Sequence, residues 1–228
     1  MTRTLILLLL SFSVRYATGQ TAINLSLKNE LDSIYQLDQK YRSLLFSDEL
    51  KSNPDSSART YGVEASQLQT FLIHKMVSVD SSNIKRIEEI IAVYGYPGKS
   101  LVGYPSNEAA FFVIQHSQSI DKYLPVIKRA AQKKELQFSL YAMMLDRSLM
   151  YNGKEQIYGS QGNGLQVLNA ATGQKEFKWI IWPIKNHKKV NKRRKKAGFS
   201  DSIEENSKRM GITYIPFTLD EVNKMKAN

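Results

Sequence analysis

YAMMLDRSLMYNGKEQIYGSQ, residues 141–161, carries an apolar helical repeat up to Tyr151, a stop at Asn152-Gly153 and a polar run beyond it. Asp146 has Ala142, Met143, Leu149 and Met150 three or four residues away, and Arg147 has Met143, Met144, Met150 and Tyr151. Both charges therefore sit among apolar helical neighbours. Charged groups facing an apolar interior cost several kcal/mol unless paired, so this stretch builds either a buried polar brace or a site. AAFFVIQHS, residues 109–117, repeats the theme: a helix from Ser106 to about Ser117 that is apolar nearly all round, hence central, ends on Gln115-His116.

Working outward, apolar residues from Leu27 to Leu45 recur at three-and-four spacing and predict an amphipathic helix over Leu25 to Phe46. The polar stretch Ser47 to Ser57, with Pro54, reads as a break. Leu68, Leu72 and Met76 mark a second helix, and Asn83 is placed to cap a third through Ile84, Ile87, Ile90 and Ile91, stopped by Gly95 and Pro97. Asp121 to Lys134 is amphipathic with Pro125 near its start, and Ser139 can cap the helix that holds Asp146. LQVLNAATGQKEFKWIIWPI, residues 165–184, has two β-rich runs around Thr172-Gly173, a hairpin signal. A short helix after Pro183, an extended GITYIPF (residues 211–217) and a last helix from Thr218 complete the chain. The expected fold is mainly α: a single helical domain with a small β-hairpin near residues 165–184. We divide it into a leader (1–19), an N-terminal helical layer (20–83), a core domain (84–199) and a C-terminal arm (200–228).

Residues 1–19 read as an export signal, with Arg3, the apolar run Leu5 to Leu10, and small residues Ala17-Thr18-Gly19 before Gln20. The run is broken by Arg15 and is too short to span a membrane, so the expectation is a periplasmic or secreted protein with no transmembrane helix after cleavage. The chain has no cysteine, which excludes disulfides, thiol chemistry and lipid attachment at cysteine. Loss of the leader removes Arg3 and Arg15 and lowers the net charge from +11 to +9. Most of that charge sits in KNHKKVNKRRKK, residues 185–196, as Lys185, Lys188, Lys189, Lys192, Arg193, Arg194, Lys195 and Lys196 with no acid. This run is either a solvated helix face or a patch for anionic envelope components. It has no interleaved aromatics, which speaks against nucleic acid.

The polar residues suggest a pocket. Asp146 and Arg147 diverge by about 100° on their helix, so they need separate partners. The economical arrangement has Asp146 accepting from His116 while Arg147 binds backbone carbonyls or an outside anion. Ser100 and Ser160 lie nearest these motifs, yet neither has the G-x-S-x-G setting of a nucleophile elbow. His74, His116 and His187 are the only histidines and no H-E-x-x-H occurs, so we expect no metal and no cofactor. YGYPGKSLVG (residues 94–103) and QIYGSQGNG (156–164) read as binding loops, although GYPGKS lacks the glycine spacing of a phosphate-cradling loop.

From about Ile84 to Phe199 the chain resembles an uncharacterised bacterial family, a domain of unknown function. The resemblance rests on YGYPGKSLVG, AAFFVIQHS, YLPVIKRAAQKKEL, YAMMLDRSLMYNGKEQIYGSQ and PIKNHKKVNKRR in that order. It extends to Gly98, Leu101, Val102, Gly103, Ala110, Gln115, His116, Asp146, Arg147, Gln156, Tyr158, Gly159, Gln161, Pro183, Val190, Arg193 and Arg194. The chain departs from the family pattern at Ser160, where threonine is usual, and at Asn186 and Asn191, where aspartates are usual. The resemblance implies that the polar set belongs together and brings no activity, substrate or cofactor.

Three readings follow. In the first, Gln115, His116, Asp146, Arg147, Gln156, Tyr158 and Gln161 line a pocket for a small polar or anionic ligand. In the second, the protein is a hydrolase whose His116 activates water, with Asp146 orienting it and Arg147 stabilising negative charge. In the third, these residues form a buried brace in a structural envelope protein that acts through its basic surface.

Overall fold

The computed structural model describes residues 22–168 and 173–227. The leader and its cleavage point lie outside the described residues, as does Thr172 of the hairpin turn. The architecture is mainly α with one two-stranded antiparallel hairpin.

Helix α1 (Leu25–Leu45) starts where Asn24 accepts the Leu27 N–H at 3.0 Å, and it buries Leu27, Leu31, Ile34 and, on the same face, Asp38. The stretch expected to be a break instead holds α2 (Asp48–Ser52) and α3 (Pro54–Tyr61). Pro54 occupies the first helical position, where its missing N–H is no loss, and Asn53 caps the turn. The next segment is one helix rather than two, α4 (Ala65–Tyr94). Asn83 does not cap it; buried in mid-helix, its side chain donates to the Ile34 carbonyl of α1 at 3.3 Å. An amide that finds a partner on a neighbouring helix has no need to interrupt its own.

A short α5 (Lys99–Val102) and a 3-10 turn at Ser106–Glu108 lead into α6 (Ala109–Gln115), whose residues are buried on nearly every side. Helix α7 (Ile120–Gln132) begins early enough that Pro125 falls past its first turn, removing one helical donor. Helix α8 (Phe138–Tyr151) packs along α7. The main core joins α1, α4, α6, α7 and α8 through Leu31, Ile34, Ile87, Phe111, Ile114, Ile127 and Met144.

Strands β1 (Gly162–Leu168) and β2 (Lys175–Ile181) pair from Gly162 opposite Ile181 to Leu168 opposite Lys175. A 3-10 turn at His187–Lys189, α9 (Val190–Ala197), α10 (Ile203–Arg209) and α11 (Leu219–Ala227) follow. Ser202 and Glu205 cap α10 reciprocally, and Thr218 and Glu221 do the same for α11. Val222 of α11 closes over Leu165, Val167, Ile180 and Trp182, while Ile203 and Ile212 pack on Ile181, Ile184 and Val190. The loop from Lys154 to Gln161 thus runs between α8, the hairpin and α9, with Gln156, Gly159 and Gln161 buried. Among the described residues, no helix is long and apolar enough to cross a membrane.

Candidate functional site

The polar residues singled out in the sequence occupy two neighbouring places. The first is the loop. Asp146, with no solvent exposure, accepts from the Ile157 N–H at 2.7 Å, the Tyr158 N–H at 3.1 Å, and the Ser160 N–H and hydroxyl at 3.0 and 2.9 Å. The position uses the hydroxyl of Ser160, which a threonine would supply equally. Gln156 works like a piece of strand: its amide donates to the Gln161 and Trp182 carbonyls and accepts the Gln161 N–H, while its backbone pairs with Pro183 and Lys185. Gly159 takes φ +70°, and a Cβ there would meet Ile203 and Ile184 at 2.5 and 2.7 Å, so this turn requires glycine. Burial raises the Asp146 carboxyl above its ordinary value, and the Ser160, Ile157 and Tyr158 donors pull it back. These bonds describe a clamp whose acceptors are saturated.

From the far side, two arginines of α9 hold the same loop. Arg193 donates to the carbonyls of Ile157, Asn186 and Lys185. Arg194, only 1% exposed, donates to the Tyr158 carbonyl at 2.9 Å and to the backbone and carboxylate of Asp201, with its guanidinium over the Phe199 ring. The basic run is therefore not one surface. Lys185, Lys188, Lys189, Lys192, Lys195 and Lys196 are exposed, but Arg194 follows Val190 and precedes Ala197 on the buried stripe of α9.

The second place is the end of α6. His116 does not meet Asp146; its Nδ1 lies 3.0 Å from Asp38, a buried carboxylate on α1. Asp38 also accepts from Gln39 at 2.7 Å, and Arg42 bridges Asp38 to Asp80 of α4, reaching the latter at 2.6 Å. A neutral imidazole donating from Nδ1 carries its lone pair on Nε2. Nε2 of His116 has no partner among the described residues, and the ring lines a cleft of about 530 Å³ with Ser117, Gln118, Ile120, Asp121, Tyr151 and Asn152. Asp121 is tied down by Ser148 and Asn152, whose donors lower its carboxyl from the ordinary value.

Arg147 stands between the two places. Its Nε donates to Gln161 at 3.0 Å and its Nη1 reaches the Gln115 carbonyl at 3.4 Å. No carboxylate pairs with it among the described residues. Burial lowers the Arg147 guanidinium from its ordinary value, opposed by the Tyr151 phenol. Gln115 is buried and its Oε1 has no partner. Tyr158 gives its backbone to the clamp, and burial followed by the Asp146 charge raises its phenol. The structure thus joins Asp146, Arg147, Gln156, Tyr158 and Gln161 in one network, with Gln115 at its edge and His116 in another.

The sequence reading overlooked Asp38, Arg42 and Asp80. A signal for Asp38 was present, since it follows Leu27, Leu31 and Ile34 on the apolar stripe of α1 as Asp146 does on that of α8. Among the described residues no group of His, Asp and Glu is arranged to hold a metal ion.

No curated protein and no solved structure matches the chain. Residues 53–214, which take in His116, the clamp and its loop, match the family of unknown function DUF6624, and over more than half of its length the chain belongs to that family.

Proposed function

We propose that the chain is an exported binding protein that takes a small polar or anionic ligand in the cleft at His116. One observation carries the reading. A histidine oriented through Nδ1 by a buried aspartate keeps Nε2 for the cleft, and behind the cleft wall Arg147, partly desolvated and without a carboxylate partner, is bracketed by Gln115 and Tyr151. A desolvated guanidinium lacking a counterion favours an incoming anion. Tyr151 and Asn152 would give the ligand hydrogen-bond direction. The leader-like residues 1–19 support the exported setting.

The test is thermal stability of wild type, His116→Ala and Arg147→Ala across a panel of anionic metabolites and glycans. A ligand present at a hundred times its Kd stabilises the folded state by about 2.7 kcal/mol. The expected result is a shift in wild type that folded His116→Ala loses; a wild type that shifts with nothing in the panel sinks the reading.

The His116–Asp38 pair also favours a second reading, a hydrolase in which His116 takes a proton from water and Asp38 steadies the imidazolium. Turnover that survives in His116→Gln would exclude it. The clamp around Asp146 supports the structural reading for that part of the set, and the six outward lysines of the 185–196 segment are then the surface offered to anionic envelope components.

A further inference from the structure

A second cavity, of about 650 Å³, lies toward the other end of α7, between the last turn of α4, the Gly95–Gly98 loop with the α5 turn that follows it, and the face of α7 around Ala130. That volume falls within the range of about 300–1,000 Å³ typical of small-molecule sites. Ile91, Leu101, Val126 and Ala130 give it an apolar lining. Tyr96 adds ring surface only, since its hydroxyl is committed to the Asn107 carbonyl at 2.6 Å.

The walls are held in place independently of any ligand. The Lys99 N–H and the Asn107 amide both donate to the Glu135 carbonyl, at 3.0 and 2.8 Å. Gly98 lies so close to this residue that a Cβ would fall 2.5 Å from the Glu135 Cβ. The single carboxylate in the lining, Glu135, has both oxygens engaged by Ser100, through its N–H and its hydroxyl, each at 2.8 Å.

The lining sets two cations against that one carboxylate. Arg129 in the last turn of α7 and Lys133 at its C-cap stand four residues apart, both exposed and both in the lining, and neither forms an ion pair among the described residues. Like charges at this spacing repel, and an anion placed between them relieves the repulsion. An apolar lining that also carries two exposed cations suits a molecule with the same division.

We infer that this cavity is a second binding site, for an amphipathic anion: an apolar tail against Ile91, Leu101, Val126 and Ala130, and one carboxylate or phosphate head met by Arg129 and Lys133. The guanidinium can grip the head through two parallel N–H bonds, and the ammonium adds a point charge.

The experiment is calorimetric titration of the purified protein with decanoate, decyl phosphate and decanol, each below its aggregation limit. The expected result is saturable one-to-one binding of at least one of the two anions, with decanol at least tenfold weaker. The two anions separate a carboxylate ligand from a phosphate one. Arg129→Ala/Lys133→Ala alters only exposed side chains; it should keep the wild-type melting temperature and bind the anion at least tenfold more weakly. His116→Ala should bind it as wild type does, which keeps this site distinguishable from the cleft. Absence of saturable binding, equal binding of decanol, or unchanged binding in the double variant would overturn the assignment.

Discussion

Asp146 and Asp38 are both buried carboxylates on the apolar stripe of a helix, and they are put to different ends. Every donor to Asp146 is neutral and comes from one loop, eleven to fourteen residues further along the chain. Asp38 takes its bonds from Gln39, from Arg42 and from a histidine 78 residues away. A carboxylate surrounded by N–H groups of one loop fixes a backbone and has nothing left to offer. One that holds a histidine at the wall of a cleft fixes a side chain whose other nitrogen is still available. The first region is a clamp, and the second is where chemistry or binding can occur.

The largest expected effect tests that division directly. Asp146→Ala strands several neutral donors of the 157–160 loop at once, and since each buried donor left without an acceptor costs about 1–3 kcal/mol, we expect a total loss of about 3–5 kcal/mol. Urea unfolding measures it, and hydrogen exchange at Ile157, Tyr158 and Ser160 should rise first. A loss below about 1 kcal/mol would mean that the loop holds itself and that the comparison fails. Next comes Arg194→Met, which removes the clamp's opposite jaw and leaves Asp201 without its buried partner. We expect a loss of about 3 kcal/mol with no change in ligand response at the cleft.

Much of the fold was legible because apolar spacing reports helices whatever they pack against. The spacing of Leu27, Leu31 and Ile34 gives α1, and the β-branched and aromatic runs give the hairpin. The misreadings have physical causes. Pro54 reads as a breaker because sequence alone does not say whether a proline stands inside a helix or at its first position. Asn83 reads as a cap because its partner, the Ile34 carbonyl, is 49 residues distant. In the site, burial of Asp146 and Arg147 was readable from helical neighbours, whereas their partners were not. Two buried acids and one histidine admit either pairing, and only the packing of α1 against α6 decides for Asp38. Arg194 was hidden by its company, one inward arginine in a run of outward lysines.

His116→Ala should cost about 1 kcal/mol, because Asp38 keeps Arg42 and Gln39 as donors when the imidazole is lost. Placed beside Asp146→Ala, it sharpens the contrast. The clamp residue should fail in stability, and the cleft residue should fail in binding while the protein remains folded. His116→Asn, which offers an amide N–H near the Nδ1 position, should recover part of the stability and none of the function assigned to Nε2. Recovery of a ligand shift in His116→Asn would remove Nε2 from the reading.

The smallest effect concerns pH, and here the clamp and the cleft should differ in sign. Asp121, in the cleft wall, has its carboxyl lowered first by the Ser148 hydroxyl and then by the Asn152 amide. Below its unfolded value the unfolded chain holds the proton more readily, so its contribution is complete above about pH 4 and is lost as pH falls through the depressed folded value. Burial raises Asp146, so its proton-linked contribution runs the other way: complete below the unfolded value and lost as pH rises through the raised folded one. Asp121→Asn should therefore flatten the rise of stability with pH below about pH 4 while leaving any fall at higher pH untouched. Because Asp121 is largely solvated, the change should be modest and should shrink further in salt. An unchanged slope would mean that Ser148 and Asn152 hold a carboxylate that the fold does not need, and Asp121 would then be available to the ligand rather than to the wall.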